Sequence, residues 1–214
     1  MATLKIIPAI LAKNFEEFKK QVRLFEKNFQ LAQIDVMDNQ LVKNKTFYDL
    51  KKIKALRTPL NYELHLMVKN PTKLIDEWKN FNKVKRVIVH IESLTAKQLG
   101  TLIEKNKKFR MEISLAINPR TKVSRLKPYK NKIKYVLLMS VQPGFGGQKL
   151  DPVIYRKIKE LRQLNKKIKI GVDGGINGAN AVKLFKSGAN CLNVAGYLLH
   201  AKEIKEAVNQ LIGL

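Results

Sequence analysis

With 214 residues and one cysteine, the chain is long enough to bury a substantial core in one domain and cannot form an internal disulfide. A net charge of +25 arises from 42 basic against 17 acidic residues, and no apolar run is long enough to span a bilayer, which argues against a membrane protein or a disulfide-stapled secreted scaffold. Only eight of the basic residues are arginine, so the lysine excess fits either codon bias that leaves a solvated surface or a surface selected for nucleic acid and other polyanions.

Leu4 to Ile10 reads as an apolar strand, after which Asn14 caps an amphipathic helix expected to reach Phe29, with Phe15, Phe18, Val22, Phe25 and Phe29 at helical spacing. Leu31 to Asp38 is the second strand, followed by a polar loop and a helix from about Phe47 to Leu56 that Thr58-Pro59 stops. Leu60 to Val68 is the third strand, and Asn70-Pro71 opens a helix that Trp78 packs onto the sheet. Val84 to Ile91 is a continuous apolar strand, and a helix is expected over Thr95 to Lys107. The fifth strand is Met111 to Ile117, a short helix covers Lys122 to Tyr129, and Ile133 to Val141 is the sixth strand. A glycine-rich loop, Gln142 to Gln148, precedes a helix from Asp151-Pro152 to about Asn165. The seventh strand is Ile168 to Asp173, a helix spans Asn177 to Ser187, Ala189 to Ala195 is the eighth strand, and the last helix is Ala201 to Ile212. Cys191, among apolar neighbours, reads as a buried, inert thiol, in keeping with a reducing cytoplasm.

Eight strand and helix alternations without a linker predict a single (β/α)8 TIM barrel over residues 1–214. Asp35, His65, Ser140 and Asp173 then fall at or near C-terminal strand ends, the rim where barrel enzymes keep their chemistry. Asp35 and Asp173 come from strands two and seven, roughly across a barrel, and opposed carboxylates suit removal of a proton from one face of a carbon acid and return on the other. His65 adds an imidazole for a metal site. Gly144, Gly146 and Gly147 after strand six, Gly174 and Gly175 after strand seven, and Gly196 after strand eight gather where barrels bind phosphate through backbone N–H groups. Taken singly, a strand-end Asp is more often a cap or turn former, a lone His a core residue and each glycine a turn residue; the joint pattern points to a site. His90 and His200 receive no role; His90 is expected beneath the rim near Glu92.

These residues resemble the ribulose-phosphate 3-epimerase family. The likeness is carried by Asp35-Val36-Met37-Asp38, His65-Leu66-Met67-Val68, Val89-His90-Ile91-Glu92, Asn118-Pro119, Met139 to Gln148, Val172-Asp173-Gly174-Gly175 and Val194-Ala195-Gly196. The resemblance implies a ribulose-phosphate-binding barrel that interconverts D-ribulose 5-phosphate and D-xylulose 5-phosphate through an enediolate. It implies Asp35 and Asp173 as acid/base pair, and both of these with His65 as ligands of a divalent ion, zinc, iron or manganese. Met37, Met67 and Met139 become the floor beneath the enediolate, and Gly196 and Tyr197 join the phosphate site. A phosphosugar substrate, a homo-oligomer and a place in the pentose phosphate pathway follow from the same likeness, whereas nucleic acid is the less favoured partner.

The chain departs from the family pattern at several of these places. Gln33 stands where the family has a second metal-binding histidine, Ala9 where it has a substrate-contacting serine, and Tyr197 where it has a phosphate-site serine. Asn39, Gln40 and Lys43 replace Gly, His and Pro in the loop after strand two. Amide oxygen is a poorer ligand than imidazole for zinc or ferrous iron, so a divergent member with a weakened ion site is expected at Gln33. Three readings stay open: a working epimerase, an epimerase for a related phospho-ketose, and a lapsed enzyme that serves as a basic, polyanion-binding scaffold.

Overall fold

The computed structural model describes residues 4–105 and 109–213. Its strands close a barrel in chain order, β1 (Lys5–Ile10), β2 (Leu31–Met37), β3 (Asn61–Met67), β4 (Val84–His90), β5 (Glu112–Ile117), β6 (Tyr135–Met139), β7 (Lys169–Asp173) and β8 (Cys191–Val194). The helices are α1 (Phe15–Phe25), α2 (Leu50–Ala55), α3 (Pro71–Trp78), α4 (Ala96–Lys105), α5 (Val153–Leu164), α6 (Gly178–Lys186), α7 (Gly196–Leu199) and α8 (Ile204–Ile212). A 3₁₀ helix over Val123–Tyr129 stands between β5 and β6. The expected (β/α)8 barrel is the fold. No helix among the described residues is long and apolar enough to cross a membrane.

Two compact units make up the chain, one spanning Pro8–Ile113 and the other taking the start of β1 with everything from Ser114 onward. In the first, β2 and β3 pair in parallel with Asp35 opposite His65 and Met37 opposite Met67, and β3 pairs with β4. Because side chains alternate across a strand, one register places all four of these rim residues. Phe18, Val22 and Phe25 of α1 and Trp78 of α3 are buried against this sheet, as the helical spacing requires. In the second unit β6, β7 and β8 pair in parallel, with Met139 opposite Asp173 and Asp173 opposite Asn193. Close packing there demands glycine at position 171: a Cβ would lie 1.8 Å from the Tyr135 hydroxyl oxygen.

Several element ends differ from expectation for local reasons. Asn14 caps α1 as expected, its Oδ1 accepting from the Glu17 N–H at 2.9 Å, but the helix ends at Phe25, and Phe29 packs its ring edge-on to Phe25 beyond the last turn. α2 begins three residues late, because Asp49 caps it through the Lys52 N–H while the Phe47 N–H is drawn to Ala12 O. The expected continuation of the fourth helix to Lys107 lies outside the described residues. Helix α7, which the sequence pattern does not mark, is a single turn that forms where Ala195 O accepts from the N–H groups of Leu198 and Leu199.

Candidate active site

The β2 strand end is held by a buried threonine that sequence reasoning overlooked. Thr46 Oγ1 donates to Asp35 O at 2.7 Å and accepts from the Met37 N–H at 2.9 Å, so the loop after β2 fixes the backbone of both rim residues. Asp35 is 7% exposed, and burial pushes its carboxyl up to about 7, opposed by a hydrogen bond from Gln33 and by the nearby His90 imidazole. A carboxyl there exchanges its proton readily near neutral pH, the property an acid/base residue needs. Its Oδ1 accepts from Gln33 Nε2 at 2.8 Å and lies 3.0 Å from His65 Nδ1.

Behind His65 stands His90, a residue to which the sequence assigned no role. The two Nε2 atoms are 2.8 Å apart, the ring centroids are 5.0 Å apart with the rings meeting edge to edge, and both imidazoles are fully buried. Its place at a strand end and its membership of the Val89-His90-Ile91-Glu92 segment are the signals of His90 in the sequence. Met37 and Met67 are buried beside this group at the ends of β2 and β3.

The β7 end in the other unit is tied down by Ser140. Its N–H donates to Asp173 O at 2.8 Å, and its Oγ donates to Asp173 O at 2.8 Å and to Gly174 O. Gly174 and Gly175 have φ of 106° and 61°, and a Cβ at Gly174 would lie 2.4 Å from Val141 Cγ2. The loop needs glycine for both reasons. Gly144 and Gly147 also have positive φ, and Gln148 Nε2 closes their loop by donating to Gln142 O and Phe145 O, each at 2.8 Å. Gly196 opens α7, and the Tyr197 hydroxyl is bonded to Gln210 on α8 and rests against Gly178. Ala9 is fully buried, with Gln33 opposite on β2.

Asp35, His65 and Asp173 each offer a ligand atom, and these atoms all lie within 4.8 Å of one another. Two carboxylate oxygens and one imidazole nitrogen suit a divalent ion with positions left open for another molecule. This triad corrects the expectation of a divergent site weakened through Gln33, Ala9 and Tyr197. His65 supplies the imidazole, both acids are in place, and Gln33 bonds to Asp35 as a donor rather than being required as a ligand. The lapsed-enzyme reading, which rested on a broken site, falls with it.

Comparison with known proteins agrees with this geometry. The chain is 32% identical over 210 residues to the chloroplastic ribulose-5-phosphate-3-epimerase of Arabidopsis thaliana, covering 95% of this chain and 74% of that protein. It is 30% identical over 218 residues to the ribulose-phosphate 3-epimerase of Bacillus subtilis, covering 98% and 99%. Among solved structures, a mutant tryptophan synthase alpha-subunit from Pyrococcus furiosus superposes with a TM-score of 0.72 at 15% identity, over the whole of both chains, a likeness of fold alone. Residues 5–199 match the model of one family, and the chain belongs to it: the ribulose-phosphate 3 epimerase family.

Proposed function

We propose that the chain interconverts D-ribulose 5-phosphate and D-xylulose 5-phosphate, with Asp35 and Asp173 moving the C3 proton. The gathering of Asp35, His65 and Asp173 carries this reading. One aspartate removes the proton from one face of C3, leaving an enediolate, and the other returns a proton to the opposite face. Asp35 is suited to both roles, since its carboxyl, raised to about 7, holds or releases a proton at neutral pH. Asp35, His65 and Asp173 would hold a divalent ion such as zinc, iron or manganese, which when bound polarises the carbonyl beside C3. Met37, Met67 and Met139 offer a polarisable, water-excluding floor to the planar enediolate. The backbone N–H groups around Gly144, Gly146, Gly147, Gly174, Gly175, Gly196 and Tyr197 take the phosphate, as the positive-φ loops allow close approach of backbone to an anion.

Incubation with ribulose 5-phosphate in heavy water tests the reading. Deuterium is expected at C3, with exchange abolished by Asp173→Asn. Absence of C3 exchange with zinc, iron and manganese each supplied would overturn it.

A further inference from the structure

Four side chains of the unit spanning Pro8–Ile113 form one file. Asp35 Oδ1 lies 3.0 Å from His65 Nδ1, His65 Nε2 lies 2.8 Å from His90 Nε2, and His90 Nδ1 lies 3.4 Å from Glu92 Oε2. Both rings are fully buried and tilted by only 21° from one another, while the Glu92 side chain is 19% exposed.

Two ring nitrogens at 2.8 Å share one proton, so one ring donates and the other accepts. With both rings neutral, two arrangements satisfy that condition. In the first, His90 Nε2–H donates to His65, His65 Nδ1–H donates to Asp35, and His90 turns a lone pair toward Glu92. In the second, His65 Nε2–H donates to His90, His90 Nδ1–H points to Glu92, and His65 presents a lone pair beside Asp35 Oδ1. With Asp35 ionised, that last pair of acceptors repels unless a cation lies against both. The second arrangement is therefore the one that ligates an ion, and it is the one a carboxylate at Glu92 favours by accepting from His90.

We propose that Glu92, acting through His90, sets His65 in the tautomer that can bind a metal ion, making His90 and Glu92 positioning residues of the ion site. The inference rests on reading Asp35, His65 and Asp173 as that site. Exchange between the arrangements conserves protons. His65 loses one at Nδ1 and takes one at Nε2 from His90, and His90 takes one at Nδ1, so solvent carries a proton across with none gained or lost. The 3.4 Å contact is the longest link in the file. Carboxylate partners of this kind orient metal-binding histidines and raise their basicity as ligands.

The test is a zinc titration of the full chain, with ring-nitrogen NMR of ¹⁵N-histidine in parallel. In unaltered protein, zinc is expected to leave His65 protonated at Nε2 and His90 at Nδ1. Glu92→Leu is expected to raise the zinc Kd about 10- to 100-fold, and Glu92→Gln, which keeps an acceptor oxygen, to recover most of that loss. Glu92→Leu protein that binds zinc within about twofold of the unaltered chain, with the same tautomers, overturns the proposal while leaving the ion site standing. Unaltered protein that takes up neither zinc, manganese nor ferrous ion overturns the ion site and the proposal together.

Discussion

Gln33 and Asp35 stand two residues apart on β2 with their side chains on the same face, joined by a 2.8 Å hydrogen bond from the Gln33 amide to Asp35 Oδ1. The donor favours the charged carboxylate and so works against the burial that raises its pKa. Replacement by a side chain of similar size without a donor, Gln33→Leu, should move the Asp35 titration in ion-free protein above about 7, by on the order of one pH unit. Carboxyl ¹³C NMR measures this directly. An unmoved midpoint would show that the bond does not govern the acid.

Stability of the ion-free protein should depend on pH through the same group. The folded-state value of about 7 lies above the ordinary 3.8, so between those values the folded chain holds a proton that the unfolded chain has released. Asp35 therefore favours folding fully below pH 4 and progressively loses that contribution as pH rises through 7, by about 4 kcal/mol at most. Asp35→Asn, a neutral isostere, should flatten this part of the profile. Urea midpoints at pH 5 and pH 8 for both proteins check it, and equal pH differences in the two would refute the assignment.

Glycines at two places should respond with opposite sign. Gly174→Ala puts a side chain at φ 106° and 2.4 Å from Val141 Cγ2, and should cost about 1–3 kcal/mol. Gly100→Ala, inside α4 with nothing within 4 Å of the new Cβ, should stabilise by up to about 1 kcal/mol. Denaturant unfolding of the two variants side by side gives both signs in one experiment.

A buried ion pair offers a further check on the barrel. Glu63 is fully buried and is bridged by Arg86 at 2.8 Å, and Arg86 Nε also lies 3.4 Å from Glu112. Arg86→Met removes the cation from a buried carboxylate and should cost about 3–5 kcal/mol. Adding Glu63→Leu should return much of that loss. A double-mutant cycle that shows simple additivity would mean the pair is not coupled.

Local pattern was enough to show which residues could reach the rim. Apolar runs followed by amphipathic stretches dictate alternating strands and helices, and Asp35, His65 and Asp173 each sit in such a run near its end, where local pattern alone is informative. Gly174 and Gly175 were legible for the same reason, since their positive φ is a property of the loop itself. Which side chains meet depends on how the strands pair. Asp35 faces His65 because β2 and β3 pair in one register, and a slip of one residue would have turned either away. His90 reads from the sequence as a residue beneath the rim near Glu92 with no role, and only when β4 is laid beside β3 does it prove to be the partner of His65. The family resemblance implies Gln33 as a weak or lost metal ligand, but side-chain contacts decide the use of a polar group, and its amide is spent on Asp35. Strand ends follow from short-range pattern; the file from Asp35 to Glu92 depends on pairings between strands that the chain order does not record.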